Sequence, residues 1–132
     1  MLRMLHDNER IDELLAILTN KTLSGDFIWK SDKIAGAGHY SLDLNRGSYQ
    51  VDLNSHRVRV RDRNGVEVAR VLGEEGQNSL MSEFEFASAV VTNDGVAKLQ
   101  SATADQLAYA VAKQTRHFKI IDDMLDELKA DE

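Results

Sequence analysis

The chain has 132 residues, 42% of them hydrophobic and 29% charged, with a formal net charge of −6. That length suits one domain with one core, and the composition argues against both wholesale disorder and a membrane protein. The longest apolar runs, such as Ala89-Val90-Val91, fall far short of a bilayer span, and the lack of cysteine excludes disulfides, thiolate metal sites and a cysteine nucleophile.

The first residues, Met1 to Leu5, are interrupted by Arg3 and followed by His6-Asp7-Asn8-Glu9-Arg10, which is not the pattern of a signal peptide. The expectation is a cytoplasmic protein. Ile11, Leu14, Leu15 and Leu18 recur on one helical face and predict a helix over residues 8–22, with Asn8 as its N-cap. Ser24-Gly25-Asp26 breaks that pattern, and Phe27-Ile28-Trp29-Lys30 reads as a short strand. Residues 35–38 read as a flexible connection.

Strict alternation follows: Tyr40, Leu42, Leu44; Tyr49, Val51, Leu53; Val58, Val60; Val66, Val68. Period two over four segments means strands with one buried face. A loop over Asn45 to Ser48 pairs Leu44 with Tyr49 and Leu42 with Val51, and a turn at Asn54-Ser55 pairs Val51 with Val58. At the third turn, a two-residue Asn64-Gly65 hairpin would set valines beside arginines. A loop of Arg63-Asn64-Gly65, opened by Asp62 and closed by Gly65 in the left-handed region, puts Val60 opposite Val68 instead. On the polar face this register sets Arg61 against Glu67 and Arg57 against Asp52.

Residues 73–78 read as a polar loop and residues 79–91 as a helix, with Phe84-Glu85-Phe86 as an alternative strand. Residues 96–101 give no clear pattern. Thr103-Ala104-Asp105-Gln106 forms a capping box that predicts a long helix over residues 104–130. On it Leu107, Val111, Gln114, Phe118, Ile121, Leu125 and Leu128 alternate steps of four and three, the heptad spacing of helices that pair. Such a helix, about 40 Å long, spans a domain whose radius of gyration is about 14 Å. It is either a strut or a pairing surface. The fold expected is therefore α+β: a four- or five-stranded antiparallel meander packed on one face by an N-terminal helix and a long C-terminal helix.

No pattern of catalysis or cofactor binding emerges. His6, His39, His56 and His117 fall in separate segments, without the spacing of metal ligands on one helix. Asp122, Asp123, Asp126 and Glu127 cluster near the end as a solvated helix face, and Gly36-Ala37-Gly38 lacks the rest of a phosphate loop. Arg57, Arg59, Arg61 and Arg63 alternate as a strand face would, a spacing that suits a row of phosphates. The acidic chain, the carboxylates on the same expected face and the absence of interleaved aromatics weigh against nucleic acid and favour an ion-pair ladder. Trp29, Phe27, Tyr40 and Tyr49 offer an alternative, a pocket for a small apolar ligand, against ordinary core packing.

The run from Leu14 to Trp29, with Thr22, Gly25 and Phe27-Ile28-Trp29, followed by the meander and the Asp62-x-x-Gly65 turn, resembles a group of uncharacterised small bacterial proteins over residues 11–72. The resemblance implies a helix, an antiparallel sheet and a second helix in a bacterial cytoplasmic protein, and supplies no activity. The functional expectation is a non-enzymatic interaction or regulatory module without cofactor, self-associating or binding a protein partner through Val111, Phe118, Ile121 and Leu125. Arg57, Arg59, Arg61 and Arg63 form the second candidate surface.

Overall fold

The structure, a computed structural model, describes residues 2–75 and 96–130, and side chains for residues 9–75, 96 and 99–130. The order is α1 (Leu2–Leu23), β1 (Lys30–Ser31), β2 (His39–Leu44), β3 (Gly47–Asp52), β4 (Arg57–Asp62), β5 (Glu67–Leu72), β6 (Ala97–Gln100) and α2 (Ala102–Ala130). The strands form one six-stranded sheet in sequence order, antiparallel throughout except for the last pair. The α+β expectation holds, and the four or five strands expected become six. The aromatic run at 27–30 contributes only its last residue to β1. The unassigned stretch after residue 96 supplies β6, parallel to β5.

Three turns set the register. The first is tighter than its sequence suggests: Leu44 pairs with Gly47, Leu42 with Tyr49 and Tyr40 with Val51. The difference from the expected pairing is two residues, so every side chain keeps its face. Gly47 looks like a loop residue but belongs to the ladder, where a Cβ would come within 2.7 Å of the Arg61 carbonyl oxygen. The second turn has the expected register, with Val51 opposite Val58 and Tyr49 opposite Val60.

The third turn has the expected geometry and a further irregularity. Gly65 has φ +84°, its N–H donates to the Asp62 carbonyl at 3.0 Å, and the Asp62 carboxylate accepts the N–H groups of Asn64 and Val66. Arg61 lies opposite Glu67, but a bulge then places Val60 opposite Ala69 rather than Val68. One extra residue reverses the phase of the strand. Ala69 and Val71 therefore face the core, while Val66 and Val68 are exposed, contrary to the alternation read from the sequence.

The core joins both helices to the inner sheet face: Leu15 and Leu18 of α1, Leu107, Ala108 and Val111 of α2, with Leu42, Val51, Val58 and Val71 of the sheet. At α1 the helix begins at Leu2, so Asn8 lies inside it and is not its cap. At α2 the cap is Ser101, whose Oγ accepts the Thr103 N–H at 3.2 Å. Thr103, the cap expected from the sequence, instead donates its hydroxyl to Asp12 of α1 at 2.8 Å. The helix expected over 79–91 lies outside the described residues.

Candidate interaction surface

Thr103 meets Asp12 near the start of α2, and Gln114 meets Thr22 further along, with sequence separations of 91 and 92. The two helices therefore run parallel, and α1 stops at Leu23 beside the Gln114 region of α2. A polar clamp marks that level. The Gln114 side-chain oxygen accepts the Trp29 N–H at 2.9 Å, and its amide donates to the carbonyls of Thr22 and Phe27. The Trp29 indole N–H donates to the Thr22 hydroxyl at 2.8 Å, which in turn donates to the Leu18 carbonyl. Gln114 thus closes the C-terminal end of α1, where helix carbonyls lack intrahelical partners.

Beyond the clamp α2 leaves the domain. Its 29 residues make a rod of about 43 Å, and every residue from 116 to 130 is exposed. No glycine or proline follows Gly95, so nothing in the sequence interrupts the helix. The heptad stripe divides at this point. Leu107, Val111 and Gln114 are buried within the chain, while exposure runs from 38% at Phe118 through Ile121 and Leu125 to 65% at Leu128. Ile120 and Met124 widen the open stripe. Where α1 ends, a groove of about 530 Å³ opens between the helices, lined by Leu23, Ile28, Phe118 and Ile120 and edged by Lys113, Arg116 and His117.

Val111, read as part of the pairing surface, is instead enclosed within the core, because α1 and the sheet already cover that part of α2. Phe118, Ile121 and Leu125 are brought together on the open face. Leu23, Ile28, Ile120 and Met124 were not singled out by the sequence: two precede the helix, and two lie off the strict heptad positions. The signal that points to them is local, a group of large apolar residues next to the place where a helix terminates.

The arginines do not form one strip. Arg57, Arg59 and Arg61 are half-buried on the outer face of β4, and Arg63 is exposed in the loop after the strand ends. A neighbour unread in the sequence, Arg70, lies opposite Arg59 and grips Glu67 through two hydrogen bonds of 2.9 Å. Arg59 Nε is itself 3.9 Å from Glu67, and Asp52 lies opposite Arg57 and 3.4 Å from His39. A polar cleft of about 450 Å³ on this face is lined by the three strand arginines together with Asp32, His39 and Gln50. Asp32 supplies the carboxylate of that lining, and Glu67 lies within reach of both Arg59 and Arg70.

One buried polar cluster escaped the sequence altogether. Asp105, 4% exposed, accepts the Glu74 N–H at 2.7 Å, the Glu75 N–H at 3.1 Å and the His56 Nδ1–H at 2.6 Å. His56 has φ +55° in its turn and meets the Tyr109 ring edge-on at 5.1 Å. The Tyr109 hydroxyl donates to Glu75, a bond that holds the phenol above its ordinary pKa because the carboxylate favours the protonated form. The cluster ties the end of β5 and the β3–β4 turn to the first turn of α2. A carboxylate in that first turn also suits the helix dipole.

Trp29 is buried in the core, with Phe27, Tyr40 and Tyr49 packed against it. Among the described residues no group of three or more histidine or carboxylate side chains is placed to hold a metal ion, and no helix is long and apolar enough to cross a membrane. Comparison with protein-family models, curated proteins and solved structures finds no match to this chain.

Proposed function

We propose that the chain is a non-enzymatic protein-interaction module that self-associates through the distal half of α2. The observation that carries this reading is the division of the heptad stripe. Phe118, Ile121, Leu125 and Leu128 continue the spacing of the buried residues, yet every residue of that half is exposed. Isolated helices of this length are marginal in water, and most helical stability comes from burying an apolar face. A projecting helix with such a face gains most when another surface covers it, and a contiguous exposed apolar patch is a mark of association.

Sedimentation equilibrium at tens of micromolar tests the proposal. The native chain sediments above its monomer mass, and Phe118→Asp returns it to the monomer while the domain's cooperative unfolding transition is retained. A native chain that is strictly monomeric in that range contradicts the proposal.

A further inference from the structure

The ion-pair ladder on the outer sheet face is interrupted at its middle rung. Arg57 lies opposite Asp52 and Arg61 opposite Glu67, but Arg59 stands between Gln50 and Arg70, and the same row continues to Ser41. From β2 to β5 that row carries hydrogen-bond donors and no carboxylate. Like charges directly opposite are destabilising, and Glu67 is placed against both Arg59 and Arg70.

The neighbouring carboxylates are turned to other donors. Asp52 accepts the Asn54 N–H at 2.9 Å and the Ser55 hydroxyl at 3.0 Å, and Asp32 accepts the Ala35 N–H and the Gln50 side-chain amide. Glu67 takes two bonds from Arg70. Among the described residues lining the cleft of about 450 Å³, three guanidiniums therefore face the carboxylate of Asp32. All three are half-buried, where charges interact more strongly than in water.

We propose that the cleft binds a small phosphorylated molecule, with its phosphate group held by Arg57, Arg59 and Arg61. The site lies on the sheet face away from the core and both helices, so the inference is independent of self-association. Glu67 shows why phosphate suits it better than carboxylate: the two oxygens of a carboxylate are matched by one guanidinium, that of Arg70. A phosphate group brings about two negative charges and more acceptor oxygens, which several guanidinium forks share. Ile34, fully exposed, and Ala35 form the apolar part of the wall, against which the body of a small ester lies. The cleft volume falls within the range of about 300–1,000 Å³ usual for small-molecule sites. Asp43, Asp52 and Glu67 flank the arginines on the same face, so a long polyanion running past the cleft meets like charge.

The test is an NMR titration of backbone and arginine side-chain N–H signals at constant ionic strength, with phenyl phosphate, benzoate and a single-stranded oligonucleotide as probes. Phenyl phosphate shifts the signals of Arg57, Arg59 and Arg61 saturably and binds more tightly than benzoate, which has the same ring and a carboxylate. Arg59→Gln weakens phenyl phosphate binding by about tenfold or more. Arg59→Lys keeps the charge without the fork and recovers part of that loss. Arg63→Gln, in the loop beyond the strand, binds as the native chain does. Each variant is checked for its cooperative unfolding transition, and where Arg59→Gln does not fold, Arg57→Gln and Arg61→Gln carry the same expectation. Cleft signals that ignore phenyl phosphate, equal affinity for benzoate, preference for the oligonucleotide, or native affinity in the glutamine variants overturns the proposal.

Discussion

Residues 102–114 and 116–130 of α2 continue one helix and one spacing of apolar side chains, yet Leu107 and Val111 are fully enclosed while Phe118, Ile121, Leu125 and Leu128 stand open. The residue types on the two stripes are alike. What differs is the neighbour: α1 and the inner sheet face cover the first half, and α1 ends before the second begins. Heptad spacing reports that a face wants covering and is silent on whether the cover comes from the same chain. Gln114 sits at the division, occupying a heptad position with a polar side chain whose hydrogen bonds are all intramolecular.

The sharpest way to break the comparison is a matched truncation on each side of the clamp, measured at concentrations low enough that association adds no stability. Leu107→Ala lowers unfolding free energy by about 2–5 kcal/mol in chemical denaturation, because Leu107 is fully buried. Loss at the polar anchors is smaller. Asp105→Ala strands the backbone N–H groups of Glu74 and Glu75 and the His56 ring, at a cost of about 1–3 kcal/mol.

Gln114→Leu distinguishes an intramolecular clamp from a pairing position. A leucine would strengthen a coiled-coil seam, but here it leaves the Trp29 N–H and the carbonyls of Thr22 and Phe27 without their partner. The expected result is destabilisation of about 1–3 kcal/mol, with altered Trp29 fluorescence. Burial also raises the pKa of Tyr49. Its folded value exceeds its unfolded value, so the linked stability is complete below about pH 10 and is lost as pH rises through the folded value. Tyr49→Phe removes that alkaline loss from the pH dependence of unfolding. The smallest effect belongs to the distal half, where Leu125→Ala changes monomer stability by about 0.5 kcal/mol or less while weakening association.

Much of the sheet was legible because side-chain alternation survives errors of two residues: Tyr40, Leu42, Tyr49 and Val51 keep their faces although the first hairpin is tighter than expected. Alternation fails where one residue is inserted, and nothing in Glu67-Val68-Ala69 announces the bulge. The valines at 66 and 68 therefore read as core, whereas Ala69, a weaker signal, is the residue that packs. The strand at β6 was hidden because four residues parallel to β5 carry too little pattern of their own. At the candidate surface, the stripe was legible as periodicity, but its division required the endpoint of α1 and the bonds of Gln114. The Asp105–His56 cluster joins residues 49 apart in sequence, a contact that local spacing does not encode.

Hydrogen exchange along α2 at two protein concentrations tests the central claim most directly, since it reads both halves of the helix in one experiment. The account predicts that amides of residues 104–114 are protected at every concentration. Those of residues 116–130 exchange rapidly in dilute protein and become protected as concentration rises through the tens of micromolar. Protection of the distal half that does not change with concentration would contradict it.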